Sequence, residues 1–159
     1  MKYARSYGFT LVELMITVVV LAIIVGIAYP GYHTYMIQTR RSDAQIALMQ
    51  VANLEEKFFS ACPQVGYTNA LSTGSIPGCD GLGLADDLSL ENHYRLTIDT
   101  TAALCGGTAN TCFRITADPD HASTTGQQKG NGALRIDNTG LREWDKDNNN
   151  SFTYKWSDK

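Results

Sequence analysis

Charge is what the opening of this 159-residue chain lacks: between Phe9 and Tyr29, Glu13 is the only charged side chain. Other absences narrow the field further. There is no Cys-x-x-Cys pair, and no histidine stands at zinc-ligand spacing from Cys62, Cys79, Cys105 or Cys112, which argues against a structural zinc site. There is no glycine-rich phosphate loop of the Walker type, so any ATP-driven step belongs to another protein. The histidines, His33, His93 and His121, fall in no motif with an acid and a nucleophile, and each reads as a surface or strand residue. No run of five like charges and no internal repeat occurs. Nothing here reads as an enzyme.

The length suits one domain plus the apolar run, and 43% of the residues are hydrophobic, enough for a core. Net charge is −3, unevenly spread: Lys2 and Arg5 precede Phe9 with no acid beside them, and the remainder carries 11 basic against 16 acidic residues, a net of −5. A negative body is a poor match for nucleic-acid phosphates. All four cysteines follow the apolar run, and an even count after an export-type segment reads as disulfides in an oxidising compartment. Three pairings are possible, of which Cys62–Cys79 with Cys105–Cys112 is favoured because both close short loops.

The run from Phe9 to Tyr29 is 21 residues long, about 30 Å as a helix and enough to span a bilayer core. A secretory signal peptide would share the basic start and the small residues Gly26 and Ala28. It would not be this long, nor carry an acid that costs roughly 2.5–3.5 kcal/mol at a bilayer centre. A plain anchor explains the length and leaves Glu13 without a purpose.

The junction Gly8-Phe9-Thr10-Leu11-Val12-Glu13, after a short basic leader and before an apolar helix and Pro30, resembles the cleavage site of type IV pilins. The resemblance implies that residues 1–8 are a leader removed by a prepilin peptidase, which cuts after Gly8 and N-methylates Phe9. It further implies that Glu13 meets the Phe9 ammonium of a neighbouring subunit. Two buried charges are tolerated mainly as a pair, so an unpaired Glu13 penalises wrong docking. Pro30 bounds a stretch that can unwind in the family's filaments, and as a proline it removes one helical hydrogen bond and is expected to kink or loosen the helix. The implied partners are other pilin subunits, the peptidase/N-methyltransferase, the inner-membrane assembly platform and the membrane itself. The implied location is the bacterial inner membrane with a periplasmic head, then an extracellular pilus serving pilus biogenesis, twitching motility or adhesion.

Beyond Pro30 the pattern stays helical. Ala44, Leu48, Val51, Leu54 and Phe58 recur at helical spacing, while Arg40, Arg41, Asp43, Gln50 and Glu55 fall largely on other faces. One helix is expected over 9–60: 9–29 as membrane span and filament core, 30–60 as an amphipathic half. Pro63 ends it, and 61–92 is a loop punctuated by Gly66, Gly74, Pro77, Gly78, Gly81 and Gly83. The period then changes to two, with Tyr94, Leu96 and Ile98 in 93–101, Phe113 and Ile115 in 111–118, and Leu134 and Ile136 in 132–140. Residues 151–156 add a short terminal strand or cover the sheet. The fold class is α+β: a long N-terminal helix packed on an antiparallel sheet of three to four strands, within a head spanning 61–159. The series of strands resembles the PilE-like minor pilins, a branch that includes the DNA-uptake pilin ComP.

Two ligands compete with a purely structural role. Asp145, Asp147, Asn149 and Ser151 are spaced like the first oxygen ligands of a calcium loop, but position 150 lacks the turn glycine and position 156, a tryptophan, the bidentate acid. A polar turn is the preferred reading, with calcium as the alternative. Arg95, Arg114, Lys129, Arg135, Arg142, Lys146 and Lys155 interleave with Tyr94, Phe113, Trp144, Tyr154 and Trp156, a composition that suits stacking on DNA bases. The equally numerous acids favour a mixed solvated surface instead. The main reading is a minor pilin of a type IV pilus; the alternatives are a ComP-like DNA receptor and a type II secretion pseudopilin.

Overall fold

The structure, a computed structural model, describes residues 8–72, 79–119, 128 and 131–158. Helix α1 runs Leu11–Ala61 and is helical through residue 30. Thr10 starts it: its hydroxyl accepts the Glu13 N–H at 3.2 Å, and its carbonyl accepts the Leu14 N–H at 3.2 Å. This is N-capping, which satisfies donors that a helix start otherwise leaves orphaned. At the other end the Cys62 N–H closes on the Phe58 carbonyl at 2.7 Å, and Pro63 has no N–H with which to continue.

The chain divides into two compact units, Met1–Met36 and Ile37–Lys159. In the first, the described part of α1 is apolar on every side. In the second, Ala44, Ala47, Leu48, Val51 and Phe58 of α1 are buried in one core with Tyr94, Leu96, Phe113, Ile115, Ala117, Leu134, Ile136 and Trp144, and Leu54 is half-buried against it. The expected stripe is therefore the face that packs.

Two residues assigned to its polar faces are not polar-facing. Asp43 and Glu55 are buried. The Asp43 carboxylate accepts the Ser89 hydroxyl at 2.5 Å and the Glu91 N–H at 3.3 Å, and Glu55 accepts the Thr68 N–H at 3.1 Å. The loop after α1 crosses the helix, and its backbone donors need acceptors there. Helical periodicity alone does not register that demand.

The sheet has five antiparallel strands in chain order, not three to four: β1 Arg95–Asp99, β2 Arg114–Asp118, β3 Leu134–Asp137, β4 Arg142–Trp144 and β5 Tyr154–Lys155. The extra strand, β4, has three residues and one buried side chain, Trp144, so it shows no alternation to read. It is made by the turn before it. The Asp137 carboxylate accepts the N–H groups of Thr139 and Leu141 and the Thr139 hydroxyl, and Gly140 takes a φ of 82°. That returns the chain with Leu134 opposite Trp144. Between α1 and β1 the described residues form no helix or strand; Leu88 bridges to Arg95, and Cys79 is also a bridge residue. Gly74, Pro77 and Gly78 lie outside the described residues.

Arg41 joins helix to sheet. Its guanidinium lies 3.6 Å from the Trp144 ring centroid and donates to Asn131 Oδ1 at 3.1 Å. Asn131 in turn donates to the Tyr94 hydroxyl, and its carbonyl accepts the Trp144 indole N–H at 2.9 Å. Half-burial of the guanidinium with no carboxylate at ion-pair distance among the described residues is a cost that the cation–π contact and these bonds offset in part.

Candidate functional site

Gly8, Phe9 and Thr10 are exposed ahead of α1. Every large apolar side chain from Phe9 to Ile27 is exposed, the least of them, Val20, at 49%. Glu13 is exposed among them in the first turn. Among the described residues, α1 is the helix long and apolar enough to cross a membrane. Its position also gives Glu13 a local role. Thr10-x-x-Glu13 is the pattern of a capping box, and an acid in a first turn complements the helix dipole by about 0.3–1 kcal/mol. The pattern is present in the sequence as a Thr three residues before a Glu. The side chain of Pro30 lies outside what the structure describes, as does that of His33.

Both disulfides are formed, Cys62–Cys79 and Cys105–Cys112, and no cysteine is free. The first ties the loop to the end of α1. The second closes the β1–β2 connection, where Gly106, Gly107 and Asn110 take positive φ values.

The polar turn that resembles a calcium loop has its oxygens engaged locally. Asp145 is buried and accepts the N–H groups of Asn149 and Asn150, at 3.0 and 2.7 Å. Asp147 accepts the Tyr154 hydroxyl at 3.2 Å, and Asn149 Oδ1 accepts the Ser151 N–H at 2.8 Å. Among the described residues, no group of three or more His, Cys, Asp or Glu is placed to hold a metal. The geometry is that of a self-capped turn.

The expected interleaving of cations and aromatics breaks apart in three dimensions. Tyr94, Phe113 and Trp144 are buried in the core and present no ring to a base. Arg95 is bonded to Asp87, and Arg135 to Glu143 at 2.7 Å with its guanidinium 3.9 Å from the Phe152 ring centroid. Arg114 stands opposite Asp99 on one side and Asp137 on the other. Lys146 Nζ lies 5.3 Å from the Tyr154 ring. Lys129 and His121 lie outside the described residues; His93 sits 3.6 Å from Glu91. What remains together is Arg142, Lys155 and Trp156, around one concavity of about 560 Å³.

A further titratable group is not signalled by the sequence pattern. Glu55 is fully buried, and burial pushes its carboxyl up to about 7 despite the Thr68 N–H, with Glu56 adding repulsion. Its Oε1 has no hydrogen-bond partner among the described residues. Beside it, Glu56 accepts the Tyr67 hydroxyl at 3.1 Å, and Tyr67 stacks on Phe59 and meets the edge of Phe113.

An exposed apolar N-terminal helix, and a head in which a helix and an antiparallel sheet share one core, define a type IV pilin. Comparison with known families agrees. A prokaryotic N-terminal methylation motif matches residues 3–29, and a family described as type IV minor pilin ComP, DNA uptake sequence receptor, matches residues 30–131. The chain belongs to this type IV minor pilin ComP family. It is also 27% identical over 121 residues to the type IV major pilin protein PilA of Myxococcus xanthus (strain DK1622), an alignment covering 72% of this chain and 53% of that protein. The chain thus spans about half the length of that curated relative.

Proposed function

We propose that this protein is a non-enzymatic subunit, a minor pilin, of a type IV pilus. It is made as an inner-membrane precursor, cut after Gly8 by a prepilin peptidase and N-methylated at Phe9. The assembly platform then docks it through its N-terminal helix, with Glu13 opposite the Phe9 ammonium of a neighbour. One observation carries the reading: an apolar helix exposed on every side, with a single acid in its first turn. Such a surface needs lipid or other helices around it, because apolar area left in water costs roughly 25 cal/mol per Å². The methylation-motif match over 3–29 supports the same assignment and fits a precursor in the inner membrane and a mature form in the pilus. The test is the N-terminal peptide of protein recovered from pili. It should begin with N-methylated Phe9, and Gly8→Ala or a bulkier residue there should leave the leader attached. A mature start after Ala28 would return the segment to an ordinary signal peptide.

A second reading is favoured by the description of the family matched over 30–131. On that reading the head also binds DNA, as a receptor displayed on the filament. Its net negative charge makes such binding depend on a local cluster of cations.

A further inference from the structure

We propose that the concavity formed by the β3–β4 turn and the C-terminal tail is where the head contacts DNA, with Arg142 and Lys155 taking backbone phosphates. The proposal rests on the DNA-receptor reading and gives it a place. It comes from elimination on the molecule. Of the cations on or near the strands, Arg95 and Arg135 are held by carboxylates, and Arg114 is half-buried with an acid opposite it on each side, Asp99 and Asp137. Arg142 and Lys155 are exposed, line the same concavity, and have no carboxylate at ion-pair distance among the described residues. Glu143, next to Arg142 in sequence and opposite Lys155 across the strands, is turned to Arg135, from which it accepts a hydrogen bond at 2.7 Å. Asp158 is close, but its carboxylate accepts the Lys155 backbone N–H at 2.7 Å.

The walls suit the role. Trp156 is fixed by its indole N–H, which donates to the Glu143 carbonyl at 3.0 Å, and the Arg142 guanidinium lies 5.3 Å from its ring centroid. The ring thus holds Arg142 while offering an apolar surface to a sugar or base. Gly140, in the left-handed region, leaves the rim without a side chain. The volume, about 560 Å³, lies within the range of small-ligand sites and admits a nucleotide unit. Apart from Gln45, every lining residue falls after residue 131, outside the stretch that the ComP family model matches.

The test uses the full-length protein in detergent micelles and a short fluorescein-labelled DNA duplex, read by anisotropy across a salt series. Variants are Arg142→Gln with Lys155→Gln, Lys155→Gln alone, and Lys57→Gln as an exposed cation elsewhere. Near-UV circular dichroism checks that each is folded, and should the double variant fail that check, Lys155→Gln, at an exposed side chain, decides. We expect the wild type to bind, the double variant to bind at least roughly tenfold more weakly, and its slope of log K against log salt to be shallower by about 2, one for each phosphate left without its cation. Lys155→Gln should give about half that change in slope, and Lys57→Gln none. Equal binding by wild type and the folded variants overturns the site and leaves the DNA reading standing. No binding by the wild type even at low salt overturns both.

Discussion

Glu55 is a carboxyl in a place where only backbone amides want it. Its folded-state pKa, about 7, stands above the ordinary value of 4.5 because burial disfavours the charge. A raised pKa means that its contribution to stability is complete below about 4.5 and is lost as pH rises through about 7. Over the whole window the change is roughly 3 kcal/mol. The groups facing it, Glu56 and Tyr67, offer no compensating positive charge. The melting temperature of the full chain in detergent should therefore fall between about pH 5 and about pH 8, and Glu55→Gln, which stays neutral, should flatten that fall. A Glu55→Gln profile parallel to the wild type would place the pH dependence elsewhere. Gly132 is a second residue whose role is legible only in the structure. Its φ is 71°, and a Cβ there would lie 1.6 Å from the Asp145 carbonyl oxygen. Gly132→Ala is expected to destabilise the head by more than about 2 kcal/mol, from the left-handed backbone penalty and the forced displacement of backbone. Denaturant midpoints with an unchanged m-value would measure it.

At the scale of elements, alternation in the sequence reports burial well. Leu96, Ile115, Leu134 and Ile136 lie on the buried face where period-two patterning puts them. The break from helix to loop at Pro63 is equally readable, because a missing N–H is a local fact. What escapes is decided between elements. β4 exists because the Asp137 turn aims three residues back along β3, and Asp43 and Glu55 are inside because a loop crosses α1 with unpaired donors. The candidate site behaves the same way. The sequence shows cations and aromatics in company, but burial takes Tyr94, Phe113 and Trp144 out of reach, and Arg142, Lys155 and Trp156 are the described ones that line one concavity together. The two disulfides act at this scale as well. They span 17 and 7 residues, which on a chain-entropy account corresponds to about 3 and about 2.5 kcal/mol. Replacing either pair by serine should lower stability, with Cys62/Cys79 the more damaging, since it also frees the loop that Glu55 and Tyr67 hold. Unfolding of the two double variants against wild type compares them directly.

For the whole molecule, labour is divided along the chain. The N-terminal part of α1 is built for a surrounding of lipid or of other helices, and the head carries a self-sufficient core with its own disulfides. Glu13 is where that division is exposed to test, because it has two candidate roles that one substitution separates. Glu13→Gln keeps the shape and, with glutamine accepted at this position of a capping box, keeps the local cap with Thr10. It removes only the charge. If Glu13 serves the helix start or the membrane alone, the variant should be incorporated about as well as wild type, since the lost dipole contribution of about 0.3–1 kcal/mol is small and a neutral amide costs less to bury than a carboxylate. If Glu13 answers the Phe9 ammonium of a neighbour, the variant leaves that ammonium buried without a counter-charge, at a cost on the order of 3–5 kcal/mol. The decisive measurement is the ratio of Glu13→Gln protein in sheared, purified pili to that in membranes, with processing at Gly8 checked in both. Docking through Glu13 predicts a fully processed variant that accumulates in membranes and is depleted from pili; equal incorporation of variant and wild type would contradict it.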